Sequence, residues 1–83
     1  MQDAQFESLV DCFEKVFPNL SRSDISNASH ENVAGWDSIA QVTLLSLVGE
    51  AFGIEIDFEE FEEATSFAAV LEFVRARIAN ARP

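Results

Sequence analysis

The stretch Gly35-Trp36-Asp37-Ser38-Ile39 stands directly before a long apolar run, in which Glu50 is the one charged residue before Phe52. Asp37 is of a residue type that favours the N-cap of a helix, so the stretch predicts a helix that begins at Ser38. The Ser38 hydroxyl then lies in the first turn, beside exposed backbone N–H groups that favour an anion. The residues themselves leave two roles open for Ser38: a simple capping residue, or a hydroxyl that another enzyme modifies.

Catalysis by Ser38 itself finds no support in the sequence. A serine nucleophile needs a base that a third group orients. The one histidine is His30, in a segment expected to be a loop, and the one lysine is Lys15. The glycine-flanked turn of a nucleophile elbow is absent, as is a glycine-rich phosphate loop. We therefore expect a protein that is not an enzyme, with His30 a solvated loop residue and no metal ligand.

The composition indicates one small domain that spans residues 1–83. Apolar residues make up 48% of the chain and eight residues are phenylalanine, which is enough for a core and unlike a disordered chain. Fifteen acidic residues against five basic ones give a formal net charge of −10. Such a charge repels nucleic acid and anionic membranes, so neither is an expected partner, and proteins with basic patches are favoured instead.

Cysteine usage and hydropathy bear on the compartment. Cys12 is the one cysteine, so the chain cannot form an internal disulfide, which suits a reducing environment. No basic segment followed by a long apolar run marks a signal peptide at the N-terminus. The longest uncharged stretch, from Ser38 to Gly49, is too short to cross a bilayer. We expect a cytoplasmic protein in which Cys12 is an inert small side chain.

Helical periodicity predicts two long helices in the first part of the chain. The first covers residues 4–17, with Asp3 as a candidate N-cap and Pro18 as its stop. The second covers residues 38–52 and ends at Gly53, which suits a left-handed C-cap.

A short acidic helix and a final long helix follow. The short helix covers residues 57–63 with Asp57 as its cap, and its glutamates are expected to form a solvated face. The last helix covers residues 66–81, with Thr65 or Ser66 as its cap. Basic residues cluster toward its C-terminus: Arg75, Arg77 and Arg82. Because no segment is typical of a strand, the sequence predicts an all-α fold, a four-helix bundle of three longer helices and one short helix.

The connection over residues 18–37 is long for a compact domain. Ile25, Ala28 and Val33 are expected to pin this loop to the core, with a short turn of helix near residues 23–26.

The helix over residues 38–52 is apolar on two opposite sides. One side carries Leu44, Leu47, Val48 and Ala51, and the other carries Ile39, Val42, Ser46 and Gly49. A helix of this kind usually has two surfaces to bury. One is the core of the domain itself, and the other is a neighbouring helix or an outside partner.

The opening stretch resembles the 4′-phosphopantetheine attachment motif of acyl carrier proteins, in which Asp-Ser followed by Leu or Ile opens the second helix. The resemblance covers residues 6–78. The segment over residues 52–56 is similar to the family's link between its second and third helices. The short acidic helix and the capped last helix fall where the family has its third and fourth. This spacing favours attachment over capping at Ser38.

The resemblance implies that a phosphopantetheinyl transferase moves the arm from coenzyme A onto Ser38, with Asp37 as its acidic neighbour. The thiol of the arm then carries an acyl group as a thioester between acyl- or aminoacyl-loading enzymes and synthases. The positions that partner enzymes touch in the family match Ile39, Val42 and Ser46. Core positions, which line the acyl cavity in fatty-acid carriers, match Leu44, Val48, Phe52 and Phe61. We expect the carrier to be a monomer.

The chain departs from the fatty-acid pattern along the second helix. Ala40, Thr43 and Gly49 stand where housekeeping carriers are typically acidic. Trp36 is more typical of specialised stand-alone carriers, or of carrier domains in polyketide and nonribosomal peptide systems. The resemblance therefore favours a dedicated acyl carrier for fatty-acid-like, polyketide or other specialised biosynthesis, with partners recognised mainly through apolar contact. An aminoacyl or peptidyl carrier and a non-carrier helical interaction module remain as alternatives.

Overall fold

A computed structural model describes residues 4–81 of the chain, with side chains described for residues 4–79. Three long helices and two short ones make up this part of the chain: α1 (Ala4–Val16), α2 (Arg22–Ser26), α3 (Ser38–Phe52), α4 (Phe58–Phe61) and α5 (Phe67–Ala81). Within the described residues there is no strand, only an isolated antiparallel bridge between Ser29 and Ser66. The all-α prediction is confirmed. None of the described helices is long and apolar enough to cross a membrane.

The helix α2, which is additional to the four predicted, lies in the connection where a short turn was expected. Ser21 and Asp24 form a reciprocal capping box: the Ser21 hydroxyl accepts the Asp24 N–H, and the Asp24 carboxylate accepts the Ser21 N–H. Arg22 of α2 then forms ion pairs with three carboxylates of α1, those of Glu7, Asp11 and Glu14. The predicted bundle of four helices thus gains a fifth, because local capping makes this turn a helix.

The predicted helix ends differ from the observed ones by small amounts. The helix α1 ends at Val16, although the Phe17 N–H still donates to the Phe13 carbonyl at 2.7 Å. Of the two proposed caps of α5, Ser66 is the one that acts, since its hydroxyl accepts the Ala69 N–H at 3.1 Å. The proposed cap Asp3 and the basic residue Arg82 lie outside the described residues.

The core brings the connection and the helices together. Ile25, Ala28 and Val33 are buried, so the prediction that they pin the connection to the core is confirmed. The Phe13 ring of α1 lies edge-on to Trp36, with centroids 5.4 Å apart, and edge-on to Phe67, with centroids 5.1 Å apart. Trp36 is thus held against α1, and this fixes the chain two residues before Ser38.

The helix α3 has the predicted bounds and the predicted caps. At its end Gly53 has φ of 62° and ψ of 38°, the left-handed conformation expected of a C-cap glycine. Leu44 and Val48 face the core and are fully buried, whereas Ile39 and Val42 on the opposite side are exposed. One apolar side of α3 therefore packs inside the domain, and no described helix covers the other.

The helix α4 is shorter than predicted, covering Phe58–Phe61 where residues 57–63 were expected. The helix ends at Phe61 because the Phe61 carbonyl accepts the Gln41 side-chain amide at 2.8 Å and the Ala64 N–H at 2.9 Å. The carbonyl is thus engaged outside the regular helical pattern. Asp57 holds the N-cap position, but its carboxylate accepts no capping hydrogen bond, and its backbone carbonyl accepts the Phe61 N–H instead.

Candidate functional site

Asp37 and Ser38 open α3, and the structure gives the capping role to the aspartate. The Asp37 carboxylate accepts the Ala40 N–H at 2.9 Å, with Asp37 in the extended conformation of an N-cap. Ser38 is the first residue of the helix and is exposed. Across the described part of the chain, no hydrogen bond joins the Ser38 hydroxyl to another residue. The hydroxyl is therefore available for modification, and the capping role considered for it falls to Asp37.

A buried amide holds the segment before Ser38 to the end of α4. Trp36 Nε1 donates to Gln41 Oε1, and Gln41 Nε2 donates to the carbonyls of Phe61 and Ala64, at 2.8 and 3.1 Å. Gln41 is 5% exposed, the one polar side chain among the described residues in the buried set. Sequence reasoning missed it, although it lies three residues before Leu44 and so shares the buried face of α3.

A pocket of about 280 Å³ lies beside Ser38. Its apolar walls include the rings of Trp36 and Phe58, and its polar walls include Gln41 and Thr65. Because Gln41 and Trp36 are buried and hydrogen-bonded to each other, this side of the pocket is fixed by the core. A slender, partly polar group attached at Ser38 would find both apolar surface and hydrogen-bonding groups there.

Three titratable side chains also line this pocket: His30, Asp37 and Glu62. His30 is exposed, as expected for a solvated loop residue, but the fold brings it to the pocket of Ser38, which sequence reasoning did not predict. Among the described residues, no side-chain hydrogen bond joins His30 to Ser38 or to a carboxylate. The base and the orienting group of a serine nucleophile are thus not assembled here.

The residues predicted to face partner enzymes are all at the surface. Ile39 is 76% exposed, Val42 is 50% exposed, and Ser46 is exposed one turn further along α3. Phe58 at the start of α4 is 42% exposed and was not included in the predicted face. Large exposed apolar side chains on a small protein often mark an interaction surface.

The residues predicted to line an acyl cavity belong to the core. Leu44, Val48 and Phe61 are fully buried, and Phe52 is partly buried against the core. The pocket beside Ser38 is lined by other side chains. The cavity role of these four residues stays a prediction.

Cys12 is 4% exposed, with its sulfur 3.8 Å from the Leu47 carbonyl oxygen. Burial raises the pKa of the Cys12 thiol, which keeps it protonated and unreactive.

The comparison with protein families agrees with this geometry. The sequence model of the family described as "Phosphopantetheine attachment site" matches residues 7–74, from the first turns of α1 through half of α5. The chain therefore belongs to the phosphopantetheine-binding carrier proteins, as the resemblance of its opening motif indicated. Members of this family bear 4′-phosphopantetheine covalently and act as carriers, not as catalysts. No curated protein matches the chain in a sequence comparison.

The residues at the start of α3 fit the group that the family bears. An exposed serine hydroxyl without a hydrogen-bond partner is available for esterification, and a phosphodiester formed on it would sit at the positive end of the α3 dipole. The adjoining pocket has space beside that position. Membership in a carrier family also sets aside the interaction module without a prosthetic group.

Proposed function

We propose that Ser38 is the attachment residue for 4′-phosphopantetheine and that the chain carries acyl groups for a specialised biosynthetic pathway. The observation that carries the proposal is the exposed Ser38 hydroxyl in the first turn of α3, left free because Asp37 supplies the cap. When bound, the group supplies a thiol that holds its cargo as a thioester. The protein presents this thiol from a fixed attachment point at the start of α3.

The partner face is proposed to be the exposed apolar side of α3, made of Ile39, Val42 and Ser46. The exposure of Ile39 and Val42 and the scarcity of charge along α3 support recognition through apolar contact. Partners are the phosphopantetheinyl transferase, acyl-loading enzymes and synthases. This scarcity of charge is also the reason for proposing a fatty-acid-like, polyketide or other specialised role in place of housekeeping fatty-acid synthesis. An aminoacyl or peptidyl cargo is the alternative within the same class.

We further propose that the chain works as one monomeric carrier domain in the cytoplasm. The packing of α1, α2, α3 and α5 around one core supports the single domain. The buried, unpaired Cys12 is consistent with a reducing compartment.

The test of attachment uses intact mass. The apo protein is incubated with coenzyme A, magnesium and a broad-specificity phosphopantetheinyl transferase, beside a control carrier. We expect the mass to rise by one phosphopantetheine, to stay unchanged for Ser38→Ala, and to rise normally for Ser46→Ala, since Ser46 is an exposed serine on the same helix. Modification of Ser38→Ala, or none of the native chain while the control carrier is modified, would contradict the proposal.

A further inference from the structure

The geometry points to His30 as a second residue that holds the prosthetic group. Its imidazole N–H donates a hydrogen bond to the phosphodiester that joins the arm to Ser38. This inference rests on the proposed attachment at Ser38. It gives the connection before α3 a part in setting the direction in which the arm leaves the protein.

The charge around the pocket favours a cation near Ser38. Its titratable lining consists of the carboxylates of Asp37 and Glu62 and the imidazole of His30. A phosphodiester on Ser38 adds a further negative charge beside these acids, in a chain whose net charge is already −10. His30 is the side chain of this lining that can carry a positive charge, and it offers an N–H donor in either protonation state.

The backbone of His30 is anchored to the start of α5. Its N–H donates to the Thr65 carbonyl at 2.9 Å, and the Phe67 N–H donates to the Ala28 carbonyl at 2.9 Å. Both Ala28 and Phe67 are buried, so this pairing joins the connection to the start of α5 within the core. The position of His30 at the pocket therefore depends on core packing and not on a freely moving loop.

The imidazole of His30 is not engaged by another described side chain. Within the part of the chain that the structure describes, no hydrogen bond or ion pair engages the His30 ring. Arg22 and Arg77 are by contrast already paired with carboxylates away from the pocket, Arg22 with those of α1 and Arg77 with Glu60. The His30 donors are thus free to meet a new anion at Ser38.

The test begins with the native chain, because its single histidine is the one source of imidazole C–H proton signals. Spectra of the apo and phosphopantetheinylated forms are recorded at one pH and one ionic strength. We expect both His30 ring signals to shift on modification and to show cross-peaks to the arm's methylene protons nearest the phosphate. Unchanged ring signals without cross-peaks would overturn the inference.

A second readout is the phosphorus resonance of the modified protein. We expect His30→Ala to shift this resonance away from its native position and His30→Lys to move it back part of the way. Glu31→Gln is the matched control, since Glu31 is the exposed neighbour of His30 and does not line the pocket. A resonance that is the same in the native protein and in His30→Ala would overturn the inference, as would an equal shift in Glu31→Gln.

Intact mass separates this inference from the function on which it rests. If the native chain gains no phosphopantetheine while a control carrier does, the proposed attachment and the role of His30 both fail. If the mass rises as expected but the ring signals and the phosphorus resonance do not respond, the role of His30 alone fails.

Discussion

At the scale of single residues, Asp37 and Ser38 are neighbours at the start of α3, and Asp37 is the one that caps the helix. The Asp37 carboxylate satisfies the Ala40 N–H, so the helix does not need the Ser38 hydroxyl as a cap. The carboxylate accepts one N–H of the first turn, which leaves the other N–H groups of that turn for an anion on Ser38. Asp37 thereby leaves the Ser38 hydroxyl available for modification.

Gln41 gives a prediction at this scale. Gln41→Ala removes the partner of Trp36 Nε1 and of the Ala64 carbonyl, both in the buried network beside the pocket. Because a buried polar group left without a partner costs about 1–3 kcal/mol, we expect the free energy of unfolding to fall by about 2–4 kcal/mol in urea denaturation.

Thr43→Ala is the control, since its hydroxyl makes a hydrogen bond on the exposed side of the same helix, to the Ile39 carbonyl. We expect a loss of at most about 0.5 kcal/mol there. Equal losses for the two variants would show that the Gln41 network does not hold the site together.

At the scale of elements, the stability of α3 depends on the caps at its two ends. Gly53→Ala places a Cβ at φ of 62° with no atom within 4 Å, so the change adds backbone strain and no clash. We expect a loss of about 1 kcal/mol in the free energy of unfolding. Gly35→Ala also meets no atom within 4 Å and lacks the positive φ, so it should be close to neutral. A neutral Gly53→Ala would argue against the left-handed cap.

The partner face of α3 gives the second prediction at this scale. Ile39→Ala removes exposed apolar surface beside Ser38, and we expect kcat/KM for modification by the transferase to fall about tenfold, as the loss of a buried aliphatic contact would cause. Glu50→Gln should change it less than about twofold, because we propose that partners recognise α3 through apolar contact. For the same reason, the native rate should depend weakly on salt. A steep decline between low and high salt, or a larger effect of Glu50→Gln, would contradict apolar recognition.

The elements differ in how far sequence predicts them, for a physical reason. The bounds of α3 follow from Asp37 and Gly53, which act within one turn, and so they were predicted. The end of α4 depends on the Gln41 amide, twenty residues away along the chain, which no local pattern reveals. His30 likewise reaches the pocket through a backbone hydrogen bond to Thr65, a contact across the fold that the sequence around Ser38 does not reveal.

At the scale of the whole molecule, the main electrostatic feature is the excess of acidic over basic residues. Arg22 faces three carboxylates of α1 and Arg77 pairs with Glu60, but these ion pairs are largely exposed, and such pairs contribute little. Fifteen acids on a small domain therefore repel one another.

A prediction about thermal stability follows from this repulsion. Because screening weakens the repulsion between exposed charges, we expect the Tm to rise by a few degrees when sodium chloride is raised from about 0.01 to about 0.15 M. Millimolar magnesium should raise it as well. Calorimetry at constant pH measures both, and a Tm independent of salt would mean that the acids are dispersed well enough not to repel.

We propose that Ser38 alone receives the prosthetic group, and peptide mass spectrometry can locate the modified residue. After modification of the native protein, cleavage at glutamate releases a peptide of residues 32–50, which contains Ser38, Thr43 and Ser46. Fragment ions then locate the added phosphopantetheine within it. We predict that the group is found on Ser38. Its presence on Thr43, on Ser46 or in any other peptide would contradict the claim.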